Sequence, residues 1–295
     1  MVNRSSKDKL ALGVPKGSLQ DSTLNLFARA GYNVTVSSRS YVPSIDDDRI
    51  SVLMFRAQEM SRYVEDGVID VGITGLDWIR ENGSDVVEIA ELVYSKQKLA
   101  PVRWVLAVAD ESQARKPEDL QGGIVATELV NVTNRYFKDR GLDVKVEFSW
   151  GATEVKARLL DGIVDVTETG SSLAANNLRI LDTVMTSSTR LIANREAMKI
   201  EWKRQKTENI ALLLKGAIEA REKVGLKMNC PRSSLGAVLG LLPAEKSPTV
   251  SALADENWVA LEVIVEDRVE RDLVPALKRA GAAGIITYPL NKVIP

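Results

Sequence analysis

Histidine is absent from the 295 residues. That omission removes imidazole general bases, Ser/His and Cys/His nucleophile activation, and every His-ligated metal. Cysteine occurs once, as Cys230, so no internal disulfide or zinc cluster can form, and a structural thiol is expected rather than redox chemistry. An excess of one charge is also missing: Lys plus Arg is 39 and Asp plus Glu 40, which leaves no electrostatic footprint for nucleic acid or an anionic membrane. No apolar run approaches the roughly 18 residues of a membrane span, and the opening MVNRSSKDKLALGVPKG lacks the apolar core of a secretory leader. The expectation is a cytoplasmic protein with neither nucleic acid nor membrane as partner.

The composition that remains is globular, with 45% hydrophobic and 27% charged residues. The length suits about two or three domains. Carboxylates are plentiful, so a hard, oxygen-seeking cation such as Mg²⁺, arriving with substrate phosphates, stays possible. The most informative feature is internal: DGVIDVGITG, Asp66 to Gly75, and DGIVDVTETG, Asp161 to Gly170, agree at six of ten positions. Phe55, Ala57 and Glu59 pair in turn with Trp150, Ala152 and Glu154. A helix, a strand and the following loop are therefore present twice. In an open α/β sheet, ligands bind beyond the carboxyl ends of the strands, so both loops should face one cleft.

Along the chain, short apolar runs alternate with helical spacing. Strands are predicted at Leu10 to Val14, Val34 to Ser37, Ser51 to Met54, Ile69 to Ile73, Trp104 to Ala109 and Ile163 to Thr167, with helices at Gln58 to Glu65, Asn131 to Arg140 and Thr153 to Leu160. Such alternation argues for parallel βαβ units. Leu181 to Asn194 should cross back to the first lobe, and Glu196 to Lys215 forms a charged helical stretch. From Gly225 the order becomes strand, helix, strand, strand, helix, strand, the split βαβ pattern of a ferredoxin-like domain. Its predicted strands are Gly225 to Pro231, Pro248 to Leu253, Val259 to Val265 and Gly284 to Pro289, and its helices Arg232 to Leu242 and Arg271 to Ala280.

The strongest local signal is VDVTETGSSL, Val164 to Leu173. Gly170 lets the backbone approach an anion, Thr169, Ser171 and Ser172 bring hydroxyls and successive N–H groups, and Asp165 and Glu168 can accept from sugar hydroxyls. The same residues also suit an ordinary capped strand-to-helix turn. The partner loop carries Thr74 and Gly75 but has Ile73 where Glu168 stands in the copy, so the two loops should do different work. Lys16 and Gly17, just past the first strand, suit a phosphate or a plain surface turn. Arg56, at the head of a helix, suits a polyphosphate or simple solvation.

Taken together, ALGVPKGSL, RYVEDGVIDVGITGLDW, EVKARLLDGIVDVTETGSSL, KSPTVSALADENWVALEVIV and LKRAGAAGIITYP resemble, in order, segments of the long-form ATP phosphoribosyltransferases. Ser18 and Ser171 depart from that family's pattern, which often has arginine at the first place and arginine or a similar residue at the second. The resemblance implies an α/β fold: two lobes of the type II periplasmic-binding-protein kind with mostly parallel sheets, then a ferredoxin-like (βαββαβ) regulatory domain. Its implied layout is residues 1–105 with 185–208 as lobe I, 106–184 as lobe II and 209–295 as the regulatory domain. It also implies a glycosyltransferase of histidine biosynthesis that moves the phosphoribosyl group of phosphoribosyl pyrophosphate onto N1 of the ATP adenine, with Mg²⁺, pyrophosphate release and feedback inhibition by histidine. Dimers assembling into hexamers belong to the same implication. On it, Asp165 and Glu168 act on the ribose, Thr169 to Ser172 hold the 5-phosphate, and Lys16, Gly17, Arg56, Thr74 and Gly75 meet pyrophosphate or the ATP phosphates.

Two lobes of this kind also make solute receptors and effector sensors, which bind without chemistry. A sensor would usually bring a DNA-binding segment, and neither a basic patch nor a helix-turn-helix stands out. Another transferase on the same frame is a further alternative, because fold alone does not choose between them.

Overall fold

The computed structural model describes residues 8–36, 42–94, 101–243 and 248–294. The chain forms two compact units, Met1–Ala211 and Leu212–Pro295. The first lobe of the first unit comprises β1 (Leu10–Lys16), α1 (Gln20–Ala30), the short pair β2 (Val34–Thr35) and β3 (Ser44–Ile45), β4 (Ile50–Arg56), α2 (Ala57–Glu65), β5 (Val71–Gly75), α3 (Leu76–Asn82) and β6 (Val87–Leu92). The second comprises β7 (Val102–Ala109), β8 (Ile124–Thr127), α4 (Val130–Lys138), β9 (Lys145–Phe148), α5 (Thr153–Lys156), β10 (Gly162–Thr167), α6 (Ser171–Ala175) and β11 (Leu178–Ser187), before β12 (Thr189–Ala193) and α7 (Glu201–Glu219). The end of the predicted strand Val34 to Ser37 lies outside the described residues.

The two lobes repeat one topology. Their sheets run β4-β1-β5-β12-β6 and β9-β8-β10-β7-β11. In each, the first three strands pair in parallel and the last two join antiparallel. The fourth strand is exchanged: β12 reaches the first sheet after the second lobe is complete, and β7 opens the second. β7 pairs with β11 from Val102, so a boundary after residue 105 passes through a strand of the second sheet. Parallel strands are covered on both faces, which is why β1 is buried at six consecutive positions rather than alternating.

The duplication is not equally well packed. Met60 and Val64 of α2 are fully buried, whereas their counterparts Val155 and Leu159 are 59% and 80% exposed. The predicted helix Thr153 to Leu160 accordingly keeps its helical form only over Thr153–Lys156 and continues in tight turns. A short helix that buries only Thr153 and Ala157 from this stretch has little to hold it.

The second unit contains β13 (Lys223–Pro231), α8 (Leu235–Leu239), β14 (Thr249–Ala252), β15 (Trp258–Glu266), α9 (Asp267–Arg279) and β16 (Ala283–Pro289). Its antiparallel sheet has the order β14-β15-β13-β16, the ferredoxin-like arrangement. Leu226, Met228 and Cys230 alternate inward from β13 to pack with Val238 of α8 and Leu273 and Leu277 of α9, so the lone thiol is a core group. Of the two predicted helices, Arg232 to Leu242 begins as a 3₁₀ turn and keeps only a short α segment, and the later one starts at Asp267.

Candidate active site

A cleft of about 580 Å³ lies between the lobes of the first unit. One wall is built from the carboxyl ends of three parallel strands: Lys16 to Leu19 after β1, Arg56 to Gln58 after β4, and Gly75, Asp77 and Trp78 after β5. The facing wall has Trp104 on β7, Glu128 after β8, and Asp165 to Glu168 at the end of β10, while Ser187 to Thr189 cross between the lobes. Parallel strands ending on a crevice are the expected place for a ligand, since loops and helix N-termini there present N–H groups outward.

The walls differ in charge. Lys16 and Arg56 stand on the first, and Glu128, Asp165 and Glu168 on the second. Burial pushes the Asp165 carboxyl up to about 6, and the nearby carboxylates Glu154 and Glu128 push in the same direction. Against them, the Val166 N–H donates to Asp165 Oδ1 at 2.7 Å. Asp77 is 6% exposed, and burial pushes its carboxyl above the usual carboxylate range against the hydrogen bonds from the Trp104 indole and the Trp78 N–H, which favour the ionised form. Trp104 Nε1 donates to Asp77 Oδ2 at 2.7 Å. A side chain at Gly75 would overlap Asp77 Oδ1, so glycine is what allows the carboxylate to fold back over the end of β5.

Beyond Glu168 the chain turns sharply. Gly170 has φ +84°, a left-handed conformation that costs glycine nothing. Its N–H donates to Thr167 Oγ1 at 2.7 Å, the Thr169 and Ser171 hydroxyls lie 2.9 Å apart, and Ser172 Oγ donates to Glu154 Oε1 at 2.9 Å. This turn is exposed at Thr169, Ser171 and Ser172, with the Gly170 N–H and the Ser172 hydroxyl already engaged by Thr167 and Glu154.

Residues 56–216 match the family described as HisG: ATP phosphoribosyltransferase, and residues 220–292 match HisG, C-terminal domain. The chain belongs to the ATP phosphoribosyltransferase family. It is 58% identical over 286 residues to the ATP phosphoribosyltransferase of Pelodictyon phaeoclathratiforme, covering 97% of each chain. To that of Pelotomaculum thermopropionicum it is 55% identical over 288 residues, 97% of this chain and 100% of the other. Among solved structures, a chain of the ATP phosphoribosyl transferase (HisG:HisZ) complex from Thermotoga maritima superposes with a TM-score of 0.60 at 27% identity, covering 71% of this chain and 98% of that one. The protein is therefore a phosphoribosyltransferase, and so a glycosyltransferase, of the long form with its C-terminal domain. Among the described residues no helix is long and apolar enough to cross a membrane.

Of the residues singled out from sequence, Lys16, Gly17, Arg56, Gly75, Asp165 and Glu168 come together in the cleft of this phosphoribosyltransferase. Thr169, Gly170, Ser171 and Ser172 lie outside its lining, in the turn that continues from Glu168. The Thr74 side chain is fully buried, and its hydroxyl donates to the Ala57 carbonyl at 2.7 Å, so it braces the loop. Sequence reasoning missed Asp77, Glu128, Trp104 and Tyr94, all of which line the cleft. Glu128 carried a usable signal, an acid directly after the short apolar run IVAT; the other three depend on tertiary contacts.

Proposed function

We propose that this cleft transfers the 5-phosphoribosyl group of phosphoribosyl pyrophosphate to N1 of the ATP adenine, releasing pyrophosphate. The observation that carries the reading is the opposition of a carboxylate wall, Asp165 and Glu168 leading into the Thr169 to Ser172 turn, to a cationic wall with Lys16 and Arg56. Asp165 and Glu168 accept hydrogen bonds from the ribose hydroxyls and face the positive charge that develops at the anomeric carbon, while the turn holds the 5-phosphate through Thr169, Gly170, Ser171 and Ser172. Lys16, Gly17, Arg56 and Gly75, with Thr74 bracing them, meet pyrophosphate or the ATP phosphates. Alignment and fixed charge suffice here, because adenine N1 is already nucleophilic and diphosphate is a competent leaving group. A chain without histidine can supply both.

The donor chemistry fits Mg²⁺, since the carboxylates of the cleft are hard oxygen donors and Asp165 sits in an excess of negative charge. Among the described residues no three acidic or thiol side chains converge as a cage, so one or two of these carboxylates would share the ion with substrate oxygens. When bound, it would neutralise charge on the departing diphosphate. Histidine as inhibitor is assigned to the ferredoxin-like unit, Leu212–Pro295, in a cytoplasmic enzyme working as dimers or hexamers. What supports these finer assignments is the family's architecture.

Full-length protein given ATP, phosphoribosyl pyrophosphate and Mg²⁺ is expected to generate the absorbance of phosphoribosyl-ATP, suppressed by added histidine. Silence from folded protein would favour a lobe pair that only binds. The Asp165 carboxyl makes a second prediction. Its ionised form accepts the ribose hydroxyls, so kcat/KM for phosphoribosyl pyrophosphate should rise with pH through about 6 and then level off. Folded Asp165 holds its proton to higher pH than the unfolded chain does, so its contribution to stability is complete in acid and declines as pH rises through about 6. A pH profile of D165N with the same limb would assign that limb to substrate phosphate instead.

A further inference from the structure

Helix α3 belongs to the first lobe, yet most of its polar contacts lie in the second. Asp77, in its first turn, accepts the Trp104 indole from β7, and Trp78 packs against the second lobe's core, meeting Trp104 edge-on at 6.1 Å. At the other end Glu81, 9% exposed, accepts the backbone N–H groups of Asn131 and Val132, each at 2.9 Å. The Asn131 side chain donates back to the Glu81 carbonyl at 3.0 Å, and Arg135 Nη2 donates to the Arg80 carbonyl at 2.6 Å.

Asn131 and Val132 open α4, whose own N-cap residue, Leu129, supplies no side-chain cap. The first N–H groups of a helix have no partner inside it, and the helix dipole favours a negative charge there. A carboxylate from the opposite lobe fills that need. Glu128, which lines the carboxylate wall, stands on the short connection from β8 into α4, three residues before Asn131. Asp77, on the other wall, lies four residues before Glu81 on the same helical face. Glu81 therefore joins the two walls without lining the cleft.

We propose that Glu81 is a positioning residue for phosphoribosyl transfer: by capping α4 across the lobe junction it sets the separation of the cationic and carboxylate walls, and so the alignment of the two substrates. This rests on the substrate cleft proposed above. Each substrate's ground-state contacts lie mainly on one wall, whereas the reacting atoms must meet between them. Displacing one wall therefore acts on kcat before KM.

The test compares E81A and E81Q with the parent as full-length protein, measuring steady-state kinetics in both substrates, thermal unfolding, and hydrogen exchange at the Asn131 and Val132 amides. In E81A, kcat should fall about tenfold or more, as expected for a misplacement of the order of an ångström, with each KM changed less than the kcat. Both amides should exchange faster. Glutamine keeps one acceptor oxygen, so E81Q should restore part of kcat and protect one amide. Parent-like kinetics in E81A overturns the proposal, as does a loss that merely follows the folded fraction. If E81A does not fold, E81Q decides: parent-like kcat with either amide exposed overturns it, and reduced kcat at unchanged folded fraction supports it. D165N, run in parallel, separates two failures, because unaffected D165N displaces the cleft reading itself, whereas unaffected Glu81 variants remove only the positioning role.

Discussion

D165N/E168Q is expected to lower kcat/KM for phosphoribosyl pyrophosphate by about a thousandfold, with each charge-assisted hydrogen bond contributing roughly 1.5–3 kcal/mol. Both side chains line the same wall, and neither substitution creates a cavity. The Val166 N–H that donates to Asp165 at 2.7 Å can still find the asparagine carbonyl oxygen. Because burial and the neighbouring Glu154 and Glu128 already oppose ionisation of Asp165, removing its charge should leave thermal stability equal or slightly raised. That divergence is the useful signature, since a residue kept for folding would lose stability together with activity. Steady-state kinetics beside a thermal melt checks both. A double variant with parent kcat/KM would take these carboxylates out of the site, and one that loses activity only in proportion to unfolding would make them structural.

The second large effect concerns the frame. Lys203 and Asp70 form an ion pair at 2.7 Å with side-chain exposures of 3% and 8%, and the same Asp70 oxygen accepts the Ala11 N–H at 2.8 Å. The pair ties α7 to the end of the loop that enters β5, beside β1. Lys203→Met leaves a carboxylate buried with one neutral donor, which is expected to cost about 3–5 kcal/mol. D70N/K203M should recover most of that loss, because the uncompensated charge, rather than the missing attraction, is the larger penalty. Urea unfolding of the two variants and the parent checks this. A K203M protein within about 1 kcal/mol of the parent, the value of an exposed pair, would show that water reaches the site.

Much of the frame was legible because its signals are local. The duplicated segment located β5 and β10 and the loops after them, and the strand and helix order from Gly225 anticipated the ferredoxin-like sheet. Asp165 and Glu168 were legible for the same reason, standing in one short run at a strand's carboxyl end. The copies misled where equal spacing met unequal packing: Thr153 to Leu160 reads as helix, but Val155 and Leu159 find no partner surface. Thr74 reads as a hydroxyl for phosphate, but its position in the sheet gives that hydroxyl to Ala57.

The sequence by itself determined the α/β alternation, the doubled lobe, the exclusion of imidazole chemistry and the acidic loop, all of which follow from residue type and short-range period. The tertiary structure alone decided which strand fills the fourth place in each sheet, that Asp77, Glu128 and Trp104 share the cleft with Lys16 and Arg56, that Glu81 caps a helix of the other lobe, and that Lys203 answers Asp70. Each of these joins residues far apart in the chain, as with Lys203 and Asp70 at a separation of 133 positions. Such contacts carry the entropic cost of bringing distant segments together, and no local pattern records them.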